Sequence, residues 1–309
     1  MADLDELVPA VVPRLLGALL DGPPSQVHGG YASSAWLVGV EGVPLLVKVS
    51  HAGAPVDKAV AASSALRLAA TTSAPVPREV FFDPECGQLL GRVVRILTWL
   101  DGEVARDRLD QQGAEGFFTE LGSVVASLHQ ARCDAFTTRL GGAPAFDTWA
   151  EFVRHRSDQI RERVRRTGAI ATDQLETALS RALAVAIEVS PVVEPRLAHR
   201  DLHLDNVLVT SSGHVAGVLD LDGAGAWDPA VDLVKLRAQV FPHHPGSEQW
   251  FTRGYASTSC GLPEQLDRRV AVVEVLELTN AVANAGLHHN DVMVEVNRRR
   301  LTEVLSSPW

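Results

Sequence analysis

Residues 198–222 read AHRDLHLDNVLVTSSGHVAGVLDLD. His199-Arg200-Asp201-Leu202-His203 reads as a turn, and Val207-Leu208-Val209 as an apolar strand that starts just after Asn206. Thr210-Ser211-Ser212-Gly213 is a turn signal, and Val215 to Leu219 is a second β-branched run, so the two runs are predicted to pair as an antiparallel hairpin. A hairpin returns the chain to its origin. Asp220, at the far end of the second strand, is therefore expected beside Asp201 and Asn206, which flank the start of the first. Two carboxylates and an amide oxygen on one rim suit a hard divalent cation that keeps several waters and binds phosphate oxygens.

The spacing carries more than the composition. Asp201 to Asn206 is the D-x-x-x-x-N interval of a kinase catalytic loop, and His199-Arg200-Asp201 spells the H-R-D that opens it. HRDLHLDNVLV, then GVLDLD, then AWDPAVDL, in that order, resembles the aminoglycoside phosphotransferase family of small-molecule kinases, whose pattern is H-G-D-x-H-x-x-N-V-L, I-D-W and G-D-P-x-x-D-L. The resemblance implies a two-lobed protein-kinase-like fold of the α+β class, with a β-rich N-lobe over residues 1–100 and a mostly helical C-lobe over 101–309. It implies Asp201 as the group that accepts or orients the acceptor proton, Asn206 and Asp220 as Mg²⁺ ligands, and ATP or GTP as phosphoryl donor. Asp232 falls where the family has the last Asp of D-P-x-x-D-L and is expected to brace the catalytic-loop backbone. Arg200 departs from the small Gly common at its position and is expected to pack or to bind an acid.

Outside this stretch, the 309 residues are 46% hydrophobic, enough for a substantial core. The net charge of −10 argues against a nucleic-acid groove and is compatible both with a cationic small substrate and with plain solubility. Cys86, Cys133 and Cys260 are odd in number and far apart, which suggests neither a disulfide framework nor a zinc site and fits a reducing cytoplasm. Residues 1–6 lack a basic leader, and no apolar run reaches membrane-spanning length, so no membrane partner is expected.

Apolar residues from Leu4 to Leu20 recur at helical spacing despite Pro9 and Pro13. Val27 to Val40 reads as strand, turn, strand. Its residues Gly29, Gly30, Tyr31, Ser33 and Ser34, small apart from the tyrosine, occupy the place of the family's nucleotide-covering loop, although they match neither G-x-G-x-x-G nor the Walker pattern. Lys48 interrupts the apolar strand 44–49; a buried lysine needs an anionic partner, and by resemblance this one anchors the α- and β-phosphates. An Ala-rich helix follows over 57–70. Kinases carry there a Glu that pairs with the strand lysine, yet no Glu occurs between Lys48 and Glu79. Either Asp57 orients Lys48 or another residue does so.

Strands over 80–100 lead to Thr98-Trp99-Leu100, the expected lobe linker whose backbone offers hydrogen bonds to adenine. Helical periodicity then takes over: 117–129, ending at a packing histidine His129; 147–164; 173–189; 228–240, with Asp228 as N-cap; 271–285; and 291–305. Gly223 to Trp227 is a short connector where protein kinases have a long activation loop, which favours a small-molecule acceptor. That acceptor, by resemblance, is a hydroxylated and cationic molecule such as an aminoglycoside or another antibiotic. A sugar, amino alcohol or amino acid is the alternative, and a nucleotide-binding module without catalysis a third. Glu274, Glu277 and Asp291 are candidates to line a pocket for a cation. The protein is expected as a monomer or weak homodimer.

Overall fold

The structure, a computed structural model, describes residues 4–27, 33–109, 113–258 and 261–309. Helix α1 (Leu4–Leu16) buries Val8, Val11 and Val12 and stops at Gly17, whose φ of +64° is left-handed; this is four residues earlier than the apolar spacing suggests. Strands β1 (Ser25–Val27), β2 (Ser33–Val40), β3 (Val43–Ser50), β4 (Glu79–Cys86) and β5 (Arg92–Thr98) form one antiparallel sheet in the order β1-β2-β3-β5-β4. Helix α2 (Val56–Ala69) connects β3 to β4. Alternation along β3 decides what each face carries. Leu45, Val47 and Val49 are buried in a small core with α1, whereas Leu46 and Lys48 point to the other face. Lys48 is thus on a central strand, between Ala35 of β2 and Arg95 of β5 in register.

Beyond Leu100, β6 (Glu103–Val104) and the single turn α3 (Ala105–Arg108) lead into α4 (Ala114–Leu128). Short strands β7 (Phe136–Thr137) and β8 (Ala145–Phe146) precede the long helices α5 (Trp149–Thr167) and α6 (Thr172–Val189). Then come β9 (Arg196–Ala198), β10 (Val207–Val209), β11 (Val215–Val218) and β12 (Gly225–Trp227). The predicted hairpin is β10 with β11, in the register Val207↔Val218 and Leu208↔Gly217, and β6 adds on the other side of β10. A further sheet has the order β8-β7-β12-β9, with Trp227 in register with Arg196. Helices α7 (Val231–Lys235), α8 (Ser247–Ala256), α9 (Leu266–Leu287) and α10 (Asp291–Ser306) complete the chain.

Two apolar clusters result, the small one between α1 and the first sheet and a large one spanning Ala65 to Leu301. The large cluster takes in Ala65, Leu66 and Ala69 of α2 together with Val76 and Leu97, so α2 belongs to both parts of the molecule. Helix α9 is long and apolar enough to cross a membrane by composition, contrary to the expectation from the sequence; its Val272, Val273, Val275, Leu276 and Val282 are instead buried among α5, α6, α7 and α10. The segment expected as one helix over 228–240 is α7 followed by a π-helical turn, Leu236–Val240.

Helices α4 and α8 touch through glycines. A Cβ on Gly254 would lie 1.7 Å from the Thr119 carbonyl oxygen, and one on Gly122 2.0 Å from that of Phe251, so backbone meets backbone with no side chain between. Gly116, on the exposed side of α4, has open space where its Cβ would be. Gly254→Ala is therefore expected to destabilise by roughly 1–3 kcal/mol, while Gly116→Ala stabilises by about 0.5–1 kcal/mol; urea melts of the two variants should move in opposite directions.

Candidate active site

The catalytic-loop segment is held from below by one buried carboxylate. Asp232, on α7 and 1% exposed, accepts the backbone N–H of His199 at 2.8 Å, that of Arg200 at 2.5 Å, and the ring Nε2–H of His129 at 2.9 Å. His129 is the packing histidine expected from sequence: its other nitrogen meets the Tyr255 hydroxyl at 2.8 Å. Burial acts to raise the Asp232 carboxyl, but the hydrogen bond and charge of His129, then His199 and the Arg200 N–H, outweigh it and hold it below its ordinary 3.8.

The two peptide N–H groups taken by Asp232 fix an unusual backbone. Arg200 has φ +67°, the left-handed region, which is a physical reason for the glycine of the family pattern at this place. Here an arginine occupies it, with its guanidinium 4.1 Å from the Trp227 ring centroid, its Nη1 donating to the Thr138 and Gly223 carbonyls, and its Nη2 3.6 Å from Glu277. Arg200 both packs and faces an acid.

Two bonds tie this loop to the end of β11. His199 Nε2 donates to the Leu219 carbonyl at 2.7 Å, since a carbonyl can only accept, and its Nδ1 accepts the Asp201 N–H at 3.2 Å. Leu219 N donates to the Asn206 carbonyl at 2.8 Å. Asn206 and Asp220 are thereby neighbours across the hairpin root. The Asn206 amide donates Nδ2–H to the Asp201 carbonyl at 2.9 Å, which leaves its oxygen directed elsewhere. Asp220 has φ +59° and ψ +59°, is exposed, and its carboxylate has no partner among the described residues. A free carboxylate and a free amide oxygen are hard oxygen donors of the kind that suit Mg²⁺, whose remaining positions go to water and phosphate. Asp205, immediately before Asn206, is held by a bidentate pair with Arg106 of α3, which keeps its carboxyl low and fastens the loop to the linker segment.

Asp201 is half-exposed and its Oδ1 is ion-paired with Lys235 Nζ, with His203 Nε2 at 3.6 Å. Lys235 was not singled out by the sequence reading; a lysine closing a helix ordinarily reads as a counter-charge to the helix dipole. Its place three residues after Asp232 was the available signal, because both project from one face of α7 toward the loop.

Of the two alternatives for Lys48, the structure takes the second: its partner is not Asp57 but another residue. Asp57 is paired with Arg139. Lys48 Nζ instead lies 3.4 Å from Asp222 Oδ2, and Asp222 Oδ1 accepts Arg95 Nη2 at 2.6 Å. In the helix, where a Glu was absent from sequence, Ser63 turns to Glu79 at 2.5 Å.

Of the covering-loop residues, Gly29, Gly30 and Tyr31 lie outside the described residues. Ser33 and Ser34 open β2 opposite Ser50 and Val49, one step from the Ala35–Lys48 pair, with the Ser34 hydroxyl 3.5 Å from His51. In the linker, Thr98 N–H is taken by the Arg78 carbonyl and Trp99 N–H by that of Pro44. Leu100 N–H is the linker donor left over among the described residues, and the Leu100 side chain packs over Gly217 of the hairpin. Glu274 is engaged by Arg300 at 2.6 Å and Glu277 faces Arg200, so these two carboxylates do not stand open to a cation. Asp228 is expected as the N-cap, but α7 starts later and its cap is Ala230; Asp228 instead accepts the Ala230 N–H at 2.9 Å and forms a buried ion pair with Arg269 at 2.6 Å.

A lysine-bearing antiparallel sheet, a helical second part, and between them an Asp–Asn–Asp hairpin define the kinase-like class of phosphoryl-transfer folds. The profile of the phosphotransferase enzyme family matches residues 24–292, and the chain belongs to that family. Solved structures of similar fold include a thermostable mutant of aminoglycoside phosphotransferase APH(4)-Ia in ternary complex with AMP-PNP and hygromycin B (17% identity, TM-score 0.71, covering 97% of this chain and 98% of that one). The streptomycin–ATP–APH(2")-IIa ternary complex is similar as well (15%, 0.69, 98% and 97%), as is macrolide 2'-phosphotransferase type I (16%, 0.63, 97% and 98%). No curated protein sequence matches the chain.

Removing the Asp232 carboxylate leaves two peptide N–H groups and the Nε2–H of His129 without their acceptor, so Asp232→Ala should cost about 3–5 kcal/mol in denaturant unfolding. Because the folded carboxyl lies below its unfolded value, its contribution is complete above 3.8 and is lost as pH falls below that. Wild-type stability should drop through this acid window more steeply than that of the variant.

Proposed function

We propose that this protein is an ATP-dependent O-phosphotransferase that acts on a hydroxyl of a small molecule, of the kind represented by aminoglycoside and other antibiotics. The observation that carries the reading is the joining of Asp201, Asn206 and Asp220 at one hairpin root by the His199–Leu219 and Leu219–Asn206 bonds. It is supported by the family membership and by the fold shared with enzymes solved with ATP, an ATP analogue and antibiotics.

Residues 1–100 form the lobe that covers the nucleotide and residues 101–309 the lobe that carries the catalytic loop. ATP lies between them, its adenine edge at Thr98–Leu100 and its phosphates toward Lys48, beside Ser33 and Ser34 at the start of β2. Asn206 and Asp220 would hold Mg²⁺, which when bound would neutralise charge on the phosphate oxygens. Asp201 accepts the acceptor hydroxyl proton as that oxygen forms its bond to the γ-phosphorus and the bond from phosphorus to the β-phosphate oxygen breaks, releasing ADP. Little covalent chemistry is asked of the protein: the task is to keep acceptor oxygen and γ-phosphate in line. Lys235 holds Asp201 at Oδ1, leaving Oδ2 for the acceptor.

One set of contacts favours a hydroxylated metabolite as a second reading. Glu274 and Glu277 are occupied by arginines and Lys235 stands against Asp201, so the described surroundings of the catalytic loop offer a polycation less than the net charge suggests. ATP consumption measured over a panel of aminoglycosides, macrolides, sugars, amino alcohols and amino acids separates the two. An active antibiotic supports the first reading, an active metabolite the second, and no stimulation by any member counts against both. With the active acceptor, Asp201→Ala should lower kcat by roughly 100-fold or more while AMP-PNP still binds; retained turnover would remove Asp201 from its role.

A further inference from the structure

Lys48 and Arg95 are register partners on β3 and β5, so their side chains rise from the same face of the sheet. Like charges directly opposite one another in a sheet repel, and here neither is spread into open water: Arg95 is 5% exposed and the Lys48 side chain 15%. Only a carboxylate placed between them makes the pair tolerable. Helix α2 supplies none. It presents Ala61, Ala62, Ser63, Ala65 and Leu66 to the interior, Ser63 is committed to Glu79, and Asp57 to Arg139. The carboxylate comes from the other part of the molecule, from Asp222 on the turn after β11, against which α2 packs.

The contacts are unequal. Asp222 is 2.6 Å from Arg95 and 3.4 Å from Lys48, so Arg95 is the anchor and Lys48 the looser partner. The three groups sum to one positive charge, and Arg95 Nη1 is buried without a hydrogen-bond partner. Asp222 also stands two residues from Asp220 on a single turn, so whatever places one carboxylate places the other.

We infer that Asp222, anchored by Arg95, is the positioning residue for Lys48 and takes over the task that in kinases falls to a helix glutamate. This rests on the nucleotide-transfer reading above. In this arrangement the lysine is aligned across the cleft, by the same turn that carries the candidate metal ligand Asp220, and the orientation of α2 no longer enters through a charged contact. The role is alignment, not attraction. Removing the carboxylate makes the surroundings more positive, so phosphate binding persists while Lys48, repelled by Arg95, leaves the geometry that transfer requires.

The test is slow hydrolysis of γ-³²P-labelled ATP, with water as acceptor, by the full chain in MgCl₂, alongside AMP-PNP binding. Asp222→Asn is expected to lower kcat by roughly 10- to 100-fold with the KM for ATP and the affinity for AMP-PNP changed less than about threefold. Arg95→Met should lower kcat to a similar degree and Arg95→Lys should restore most of it. The double variant Asp222→Asn/Arg95→Met should be no slower than either single one, because both break one unit. Thermal melts keep a folding defect in Arg95→Met distinct from a rate defect, and the Asp222→Asn result stands without that variant. An unchanged kcat in Asp222→Asn overturns the inference. So does a shift in the MgCl₂ concentration for half-maximal rate, which would make Asp222 a metal ligand, or losses that multiply in the double variant. If wild-type protein neither hydrolyses ATP nor binds AMP-PNP, the nucleotide reading itself falls and this one with it.

Discussion

A single buried carboxylate, Asp232, carries the arrangement of the catalytic loop. Taking a charge out of water is costly, and Asp232 tolerates it because two peptide N–H groups and a histidine converge on it. Those same hydrogen bonds hold Arg200 in a left-handed conformation that a side-chain-bearing residue adopts at a cost of about 1–2 kcal/mol. The turn so formed sends Asp201 outward, and His199 turns inward to reach Leu219. Without the anchor in α7, the loop has no reason to adopt this path.

From that anchor the site is built as a chain of short links. His199 joins loop to β11, Asn206 joins β10 to the residue before Asp220, and Arg106 joins Asp205 to the segment after the linker. Asp220, itself left-handed, then turns the chain so that Asp222 reaches the first sheet. Strained backbone at Arg200 and Asp220 thus flanks the place where chemistry is proposed, and the energy for it comes from packing of the large core beneath. The carboxylates divide by environment. Asp232 and Asp228 are enclosed and paired, Asp222 stands between two cations, and Asp220 is left open.

Much of this was legible along the chain. The β10–β11 hairpin followed from alternation and a turn signal, the bracing role of Asp232 from its position in AWDPAVDL, and the part of His129 from its place at the end of an amphipathic helix. Helix ends were less so: α1 stops at Gly17 because a left-handed residue breaks it, though apolar spacing continues to Leu20. The partner of Lys48 was not legible. Asp57 was close in sequence, while Asp222 lies 174 residues away, and nothing local to either announces the meeting. Lys235 was missed for a related reason, since a lysine at a helix end has an ordinary local explanation.

Residues 198–233, read in order, carry the motifs on which the proposed chemistry rests, because such motifs are short and their members are spaced by the turn and hairpin that hold them. Pairings between distant charges are another matter. Strand register sets Arg95 beside Lys48, and packing of α2 on the turn after β11 brings Asp222 to both; such contacts depend on how elements meet, a property of the folded chain that one-dimensional spacing does not encode.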